Sequence, residues 1–107
     1  MNFAGLWHIV EMDTWDQDYV NMEQQAYIQI SEKLGGSFAF GLVAGELEGE
    51  VNMVRGKRRL TFTWEGNDEL DEVSGHGWLE LMEDDKGEGK IVFDEGDESL
   101  FWVALAP

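Results

Sequence analysis

Short runs of alternating apolar and polar residues, separated every few positions by glycine, dominate this sequence and limit what it can fold into. The clearest run is 46–53, in which Glu46, Glu48, Glu50 and Asn52 alternate with apolar residues or glycine. Because successive side chains of a β-strand point to opposite faces, this period of two predicts a strand with one carboxylate face in water. With 13 glycines, 1 proline and no room for crossover helices, the chain is predicted to be all-β.

The same template predicts about eight strands joined mostly by short loops. They are expected at residues 3–12, 26–30, 38–42, 46–53, 59–65, 77–82, 90–94 and 100–105. Short connections favour antiparallel pairing of consecutive strands, and glycines within strands let a sheet bend sharply. We therefore predict a small antiparallel meander barrel.

One segment, 13–22, departs from the strand pattern. Trp15, Tyr19 and Met22 recur there at helical spacing, with Asp13 as the expected N-cap and Asp16 in the first turn. The segment predicts at most one short helix, near residues 14–21, that plugs one end of the barrel. The alternative is an acidic loop whose aromatic side chains dip into the core.

Length and composition bound the remaining possibilities. The 107 residues contain no internal repeat or linker, so a single β-barrel domain over residues 1–107 is expected. A net charge of −16 excludes nucleic acid and anionic membrane surfaces as the main partners. The absence of cysteine excludes a disulfide framework, a thiolate zinc site and a thiol nucleophile. No signal peptide or membrane-spanning stretch is recognised, which predicts a cytoplasmic location.

Two resemblances to known families follow from short motifs. Gly5-Leu6-Trp7 resembles the Gly-x-Trp motif of lipocalin and calycin barrels, in which the tryptophan packs across the closed end of the barrel. The segments 7–12 (WHIVEM), 64–69 (WEGNDE), 74–78 (SGHGW) and 96–99 (GDES) are similar to motifs of a family of small uncharacterised microbial proteins. The first resemblance implies a lipocalin-like barrel. The second, which covers nearly the whole chain, implies a compact self-standing domain and no catalytic activity.

A candidate acid–base pair lies on one predicted strand. His76, Trp78 and Glu80 share one face of that strand by the period-two rule. If this face points inward, His76 and Glu80 form a perturbed pair inside an aromatic barrel. If it points outward, Glu80 faces water while Leu79 and Leu81 fill the core, which is the commoner arrangement.

Acidic and hydroxyl residues suggest no stronger chemistry. The segment 65–72 has several carboxylates but lacks the EF-hand register, so we expect a solvated acidic loop rather than a metal site. The segment 96–99 is expected to be a turn. Ser74 and Ser99 lack the surroundings of a nucleophile elbow, which excludes a Ser-His-Asp hydrolase. The sequence therefore predicts no metal, no cofactor and no enzymatic activity.

The basic residues are concentrated at one point. Arg55, Lys57, Arg58 and Arg59 surround Gly56 at a predicted hairpin tip and form an isolated positive pole in an acidic protein. Such a pole can bind a phosphate or the acidic groove of a partner. The commoner role, which we favour, is to relieve local repulsion and to keep an exposed edge from pairing with another chain.

Three predicted strands, 3–12, 77–82 and 100–105, are apolar on both faces. A barrel has only one interior, so their second apolar set must be covered or stay exposed, and large exposed apolar patches usually mark interfaces. A homodimer is the commonest solution. We therefore predict a noncatalytic binding or protein-interaction module that self-associates, with another protein as a further candidate partner.

The alternative function is a barrel that binds a small neutral or cationic molecule, or an enzyme that uses His76 and Glu80 on such a ligand. In this case Trp7, Trp64 and Trp78 supply stacking and cation–π contacts. An eight-stranded barrel is just wide enough either to be filled by its own side chains or to hold one small ligand. The 5 tryptophans and 6 phenylalanines favour a filled interior.

Overall fold

The computed structural model describes residues 2–107 and shows a closed antiparallel barrel. Its elements in chain order are β1 (Gly5–Met12), α1 (Gln17–Val20), β2 (Tyr27–Ile30), β3 (Gly35–Phe40), β4 (Val43–Val54), β5 (Lys57–Asp68), β6 (Asp71–Met82), β7 (Lys86–Phe93) and β8 (Glu98–Leu105). Each strand pairs with its neighbours in the chain, and β8 closes the barrel onto β1. The prediction of an all-β meander barrel with one short helix is confirmed.

The central strands are longer than the sequence predicted. β5 runs to Asp68 and β6 starts at Asp71, so the segment 65–72 is a hairpin with the tight turn Glu69-Leu70. The prediction of an acidic loop here was wrong. Its charged side chains are exposed or half-buried while the hairpin backbone pairs along its whole length, so a run of charge is compatible with a strand.

Glycines and aromatic rings are matched across neighbouring strands inside the barrel. Phe62 on β5 pairs with Gly77 on β6, and Gly75 lies between Trp64 and Phe93. A Cβ atom on Gly77 would lie only 2.6 Å from Cζ of Phe62. The glycines therefore leave the space that the rings occupy, and this narrow barrel is filled by its own side chains.

The helix and the residues before it close one end of the barrel. The ring of Trp15 packs against Phe40, with centroids 5.2 Å apart, and also against Tyr19. Val20 is fully buried, whereas Met22 is exposed because the helix ends at Val20. The predicted plug is therefore present, but the third residue of its predicted apolar stripe faces water.

Neither of the two aspartates near the helix has the role expected from the sequence. Asp16, rather than Asp13, is the N-cap of α1, and its side chain accepts a hydrogen bond from the backbone N–H of Tyr19 at 3.0 Å. The carboxylate of Asp13 accepts hydrogen bonds from Ser99 Oγ at 3.0 Å and from the backbone N–H of Leu100 at 2.8 Å. Asp13 thus fastens the end of β1 to the beginning of β8.

The two ends of the barrel differ in their connections. The helix end consists of α1 with the turns 41–42, 69–70 and 94–97. The hairpin end consists of the turns 31–34, 55–56 and 83–85 together with the N-terminal segment before β1.

Candidate functional site

The structure separates the residues predicted to bind a ligand into two groups. Trp7 and Trp64 are buried in the core. His76, Trp78 and Glu80 lie on the outer face of β6. Trp64 and His76 both line a surface depression over β4, β5 and β6, but Trp7, Trp78 and Glu80 do not take part in it, so the five residues form no common site.

The interior of the barrel has no room for a ligand. Its internal void measures about 10 Å³, roughly the space of one water molecule. The indole N–H of Trp7 donates to the carbonyl oxygen of Phe3 at 2.9 Å. Trp64 packs edge-on against Phe93, with ring centroids 4.9 Å apart, and its own N–H has no hydrogen-bond partner among residues 2–107. Both tryptophans are components of the core.

The strand face that carries His76 and Glu80 points out of the barrel. Leu79, which lies between Trp78 and Glu80 in the strand, is fully buried and points into the barrel. His76 and Glu80 therefore do not face the interior, and the first of the two arrangements considered from the sequence is not observed. Three residues of extended strand lie between His76 and Glu80, and the four steps of about 3.3 Å place their Cα atoms about 13 Å apart. General acid–base partners need hydrogen-bond contact, directly or through one water. The two side chains therefore do not form an acid–base pair.

Glu80 and Trp78 are engaged by Arg59 of β5. The guanidinium carbon of Arg59 lies 3.9 Å from the centroid of the Trp78 ring. Its Nη2 and Nε atoms each lie 2.7 Å from Oε2 of Glu80. An aromatic face and a carboxylate are the groups that would recognise a cationic ligand. In this chain they bind its own arginine, a contact that the sequence reasoning missed.

The serine hydroxyls are used in structural hydrogen bonds. Ser74 Oγ donates to Oδ2 of Asp94 at 2.8 Å, and the buried Ser99 donates to Asp13. Within the part of the chain that the structure describes, no group of three or more His, Asp or Glu side chains is placed to hold a metal ion. These residues hold neighbouring elements together.

The outer side of β8 and β1 is mainly apolar, and we call it the β8–β1 face. Its outward-pointing side chains are Leu6, Val10, Leu100, Trp102 and Ala104, with the polar His8 between Leu6 and Val10 and opposite Ala104. Val10 and Leu6 are 49% and 39% exposed. Val10 has no partner on β8, because a β-bulge shifts the register at this point, and bulges re-aim side chains.

The surroundings of the β8–β1 face carry both signs of charge. On neighbouring β7, Lys86, Glu88 and Lys90 alternate along the outward positions, and Glu11 of β1 pairs with Trp102. Lys90 Nζ lies 3.3 Å from Oε1 of Glu98. The apolar residues of this face therefore lie among mixed charges, unlike most of the surface of this acidic chain.

The other side of the barrel is an acidic face formed by Glu46, Glu48 and Glu50 of β4 with Glu65 of β5. Glu46 and Glu65 are directly opposite each other in the register. Two shallow surface depressions share these two residues in their lining. Like charges directly opposite on neighbouring strands destabilise a sheet.

We expect the Glu65→Lys variant to be more stable than the natural chain by about 0.5–1 kcal/mol at low salt, because it turns a repulsive cross-strand pair into an attractive one. Urea denaturation at low and at molar salt measures the difference. Glu65→Gln, which removes the repulsion without adding attraction, is expected to lie in between. A gain that persists unchanged at molar salt would contradict the electrostatic explanation.

Comparison with known proteins identifies no relative: no family model, no curated protein and no solved structure matches this chain. The resemblances to lipocalin barrels and to small microbial proteins stay predictions from short motifs. No helix within residues 2–107 has the length and apolar character needed to cross a membrane.

Proposed function

We propose that this protein is a noncatalytic protein-interaction module that forms a homodimer through its β8–β1 face. The observation that carries the proposal is the mainly apolar outer surface on which Val10 and Leu6 are exposed beside the half-buried Trp102. Exposed apolar patches rimmed by polar residues mark interaction sites. Aromatic residues, tryptophan above all, are enriched at the centres of interfaces.

Charge supports a second copy of this chain as the occupant. Two molecules that each carry a net charge of −16 repel each other most strongly when their acidic faces meet. The β8–β1 face is flanked by Lys86 and Lys90 as well as by Glu11 and Glu88, so an approach here brings both signs together. A two-fold axis lets one such patch complement itself.

Two observations weigh against the alternative of a small-molecule barrel or an enzyme. The interior is filled, and the outer cation-recognition groups Trp78 and Glu80 are occupied by Arg59. Nucleic acid and membrane surfaces stay outside the proposal because of the net charge. A cytoplasmic location belongs to the proposal and agrees with the lack of cysteine.

A lipocalin-like classification is also part of the proposal. Gly5-Leu6-Trp7 lies at the beginning of β1, and the Trp7 side chain is buried near the hairpin end. The buried position of Trp7 supports this classification, because the tryptophan of the lipocalin motif packs across the closed end of the barrel. A noncatalytic barrel of this kind with a filled interior would use its outside surface for binding.

In light scattering at high micromolar concentration, the natural chain is expected to have the mass of a dimer and Val10→Glu that of a monomer. A two-fold interface contains the substitution twice, so dimerisation should weaken by roughly a hundredfold or more. Ala44→Glu is the matched control, because it adds the same charge at an exposed position on β4, away from the β8–β1 face. A monomeric natural chain, or a dimeric Val10→Glu chain, would contradict the proposal.

A further inference from the structure

The helix end is acidic, whereas the hairpin end carries both signs of charge: the exposed Glu32, Glu83, Asp84 and Asp85 lie in its turns, and its positive charge is concentrated on one hairpin. The exposed carboxylates of the helix end include Asp18, Glu69, Asp71, Glu72, Glu95 and Asp97. The segments that form this end contain no lysine or arginine. Except for Lys90 in the middle of β7, every lysine and arginine lies at the hairpin end or in the strand residues next to it.

The positive charge is carried by a projecting arm, which we call the cationic hairpin (residues 52–59). Its strands pair only with each other, since the β3–β4 register stops at Glu48 and the β5–β6 register begins at Leu60. The tip Arg55-Gly56 has positive φ at both residues, the geometry of a tight hairpin turn. No atom lies within 4 Å of the position of a Cβ on Gly56. The exposed Arg55 and Lys57 therefore extend beyond the barrel wall.

Each end also exposes a large apolar side chain. Met53 on the cationic hairpin is 66% exposed, and Leu70, in the turn between the carboxylates of β5 and β6, is 97% exposed. These residues give each end an apolar contact group beside its charges. The cationic hairpin and the helix end are thus complementary in charge, and each exposes one large apolar side chain.

We infer that the cationic hairpin of one copy docks on the helix end of a second copy. The partner is a second copy of this chain, because the chain itself carries both the cationic hairpin and the acidic surface that complements it. The contact is heterologous, so its repetition builds open strings or rings of molecules. It is independent of the β8–β1 dimer and does not rest on the proposed function.

The large net charge does not prevent this contact at physiological salt. The Debye length is then about 8 Å, much shorter than the 37 Å long axis of the molecule. The facing ends consequently interact while the distant carboxylates are screened. Because exposed ion pairs are individually weak, the association is expected at high protein concentration and is expected to disappear at molar salt.

The test is a mixing experiment by sedimentation velocity at physiological salt, with Val10→Glu added to every chain so that the β8–β1 face does not contribute. Arg55→Glu/Lys57→Glu loses the cationic hairpin, and Asp71→Lys/Glu72→Lys loses the acidic surface of the helix end. Each is expected to associate with itself at least roughly tenfold more weakly than the chain with Val10→Glu alone. Mixed together, they are expected to associate with each other, because the intact hairpin of one then meets the intact helix end of the other and the two reversed surfaces also carry opposite charges.

The control is Lys33→Glu/Lys90→Glu, which changes the net charge by the same amount outside the cationic hairpin and is expected to associate normally. Leu70→Glu is expected to weaken association without changing the hairpin. Absence of a complex in the mixture, or equal weakening by the control, would overturn the inference. The outcome is separate from that of the dimer proposal, which depends on the response of the natural chain to Val10→Glu.

Discussion

Replacing Gly77 with alanine is expected to lower the free energy of unfolding by about 3 kcal/mol, the upper part of the range for overpacked cores. The new Cβ would lie 2.6 Å from Cζ of Phe62 and would overlap the carbonyl oxygen of Lys90. A ring can rotate away, but the carbonyl belongs to the β6–β7 hydrogen-bonded ladder and cannot. The melting temperature should fall by roughly 10 °C or more, as measured by circular dichroism.

Gly35→Ala is the matched control for this substitution. A Cβ on Gly35 would have Leu47 O as its nearest neighbour, at 3.5 Å, which is an ordinary contact. Its stability is expected to stay the same or to rise by about 0.5 kcal/mol, because alanine restricts the unfolded chain. If both variants lost the same stability, the explanation that inward glycines make room for aromatic rings would be wrong.

Asp13→Ala is expected to cost about 2 kcal/mol of stability, because it removes the charged acceptor of the hydrogen bonds from Ser99 and Leu100 at the junction of β1 and β8. The donors are the Ser99 hydroxyl and the backbone N–H of Leu100. The Ser99 hydroxyl also lies 2.8 Å from the carbonyl oxygen of Leu100 and keeps that acceptor, so the main loss is the hydrogen bond from the Leu100 N–H. Urea denaturation measures the loss.

The control for Asp13→Ala is Glu95→Ala, which removes a carboxylate of the same end of the barrel. Glu95 is exposed and forms no hydrogen bond or ion pair within residues 2–107, so a change below about 0.5 kcal/mol is expected. Asp13→Asn, which keeps one acceptor oxygen, is expected to fall between the two. Equal effects of Asp13→Ala and Glu95→Ala would mean that general charge, not the hydrogen bonds, determines the cost.

The strand pattern could be predicted from the sequence, whereas the registers could not. Alternation defines which residues share a face, but pairing depends on where each turn lies. Once the turn is placed at Glu69-Leu70, counting outward along β5 and β6 puts Arg59 across from Glu80. The sequence reasoning treated the charged run before and after Leu70 as a loop and therefore missed this contact.

The direction of the outer β6 face was undetermined because that strand carries large side chains on both sides. Trp78 lies on one face and Leu79 on the other, so hydrophobicity alone does not distinguish inside from outside. The deciding signal was Gly75 and Gly77: glycines that alternate with large side chains on one face make room for rings on neighbouring strands. That signal places Leu79 inside and Trp78 outside, as observed.

The choice between the two aspartates near the helix depended on a residue distant in the chain. Both Asp13 and Asp16 satisfy the local preference for an N-cap. The Ser99 hydroxyl, which lies 86 positions from Asp13 in the sequence, binds Asp13 and leaves Asp16 to cap α1. A local pattern contains no information about such a contact.

The barrel is expected to open most easily at its shortest strand, β2. It has four residues, Tyr27–Ile30, whereas β4 and β5 have twelve each. Local opening takes the least free energy where few hydrogen bonds and contacts must break, so amide hydrogens of β2 should exchange with solvent before those of β4 and β5. Opening there frees the edges of β1 and β3, which a closed barrel otherwise hides. The resistance of the protein to strand exchange and to aggregation therefore depends on how rarely β2 detaches from β1 and β3.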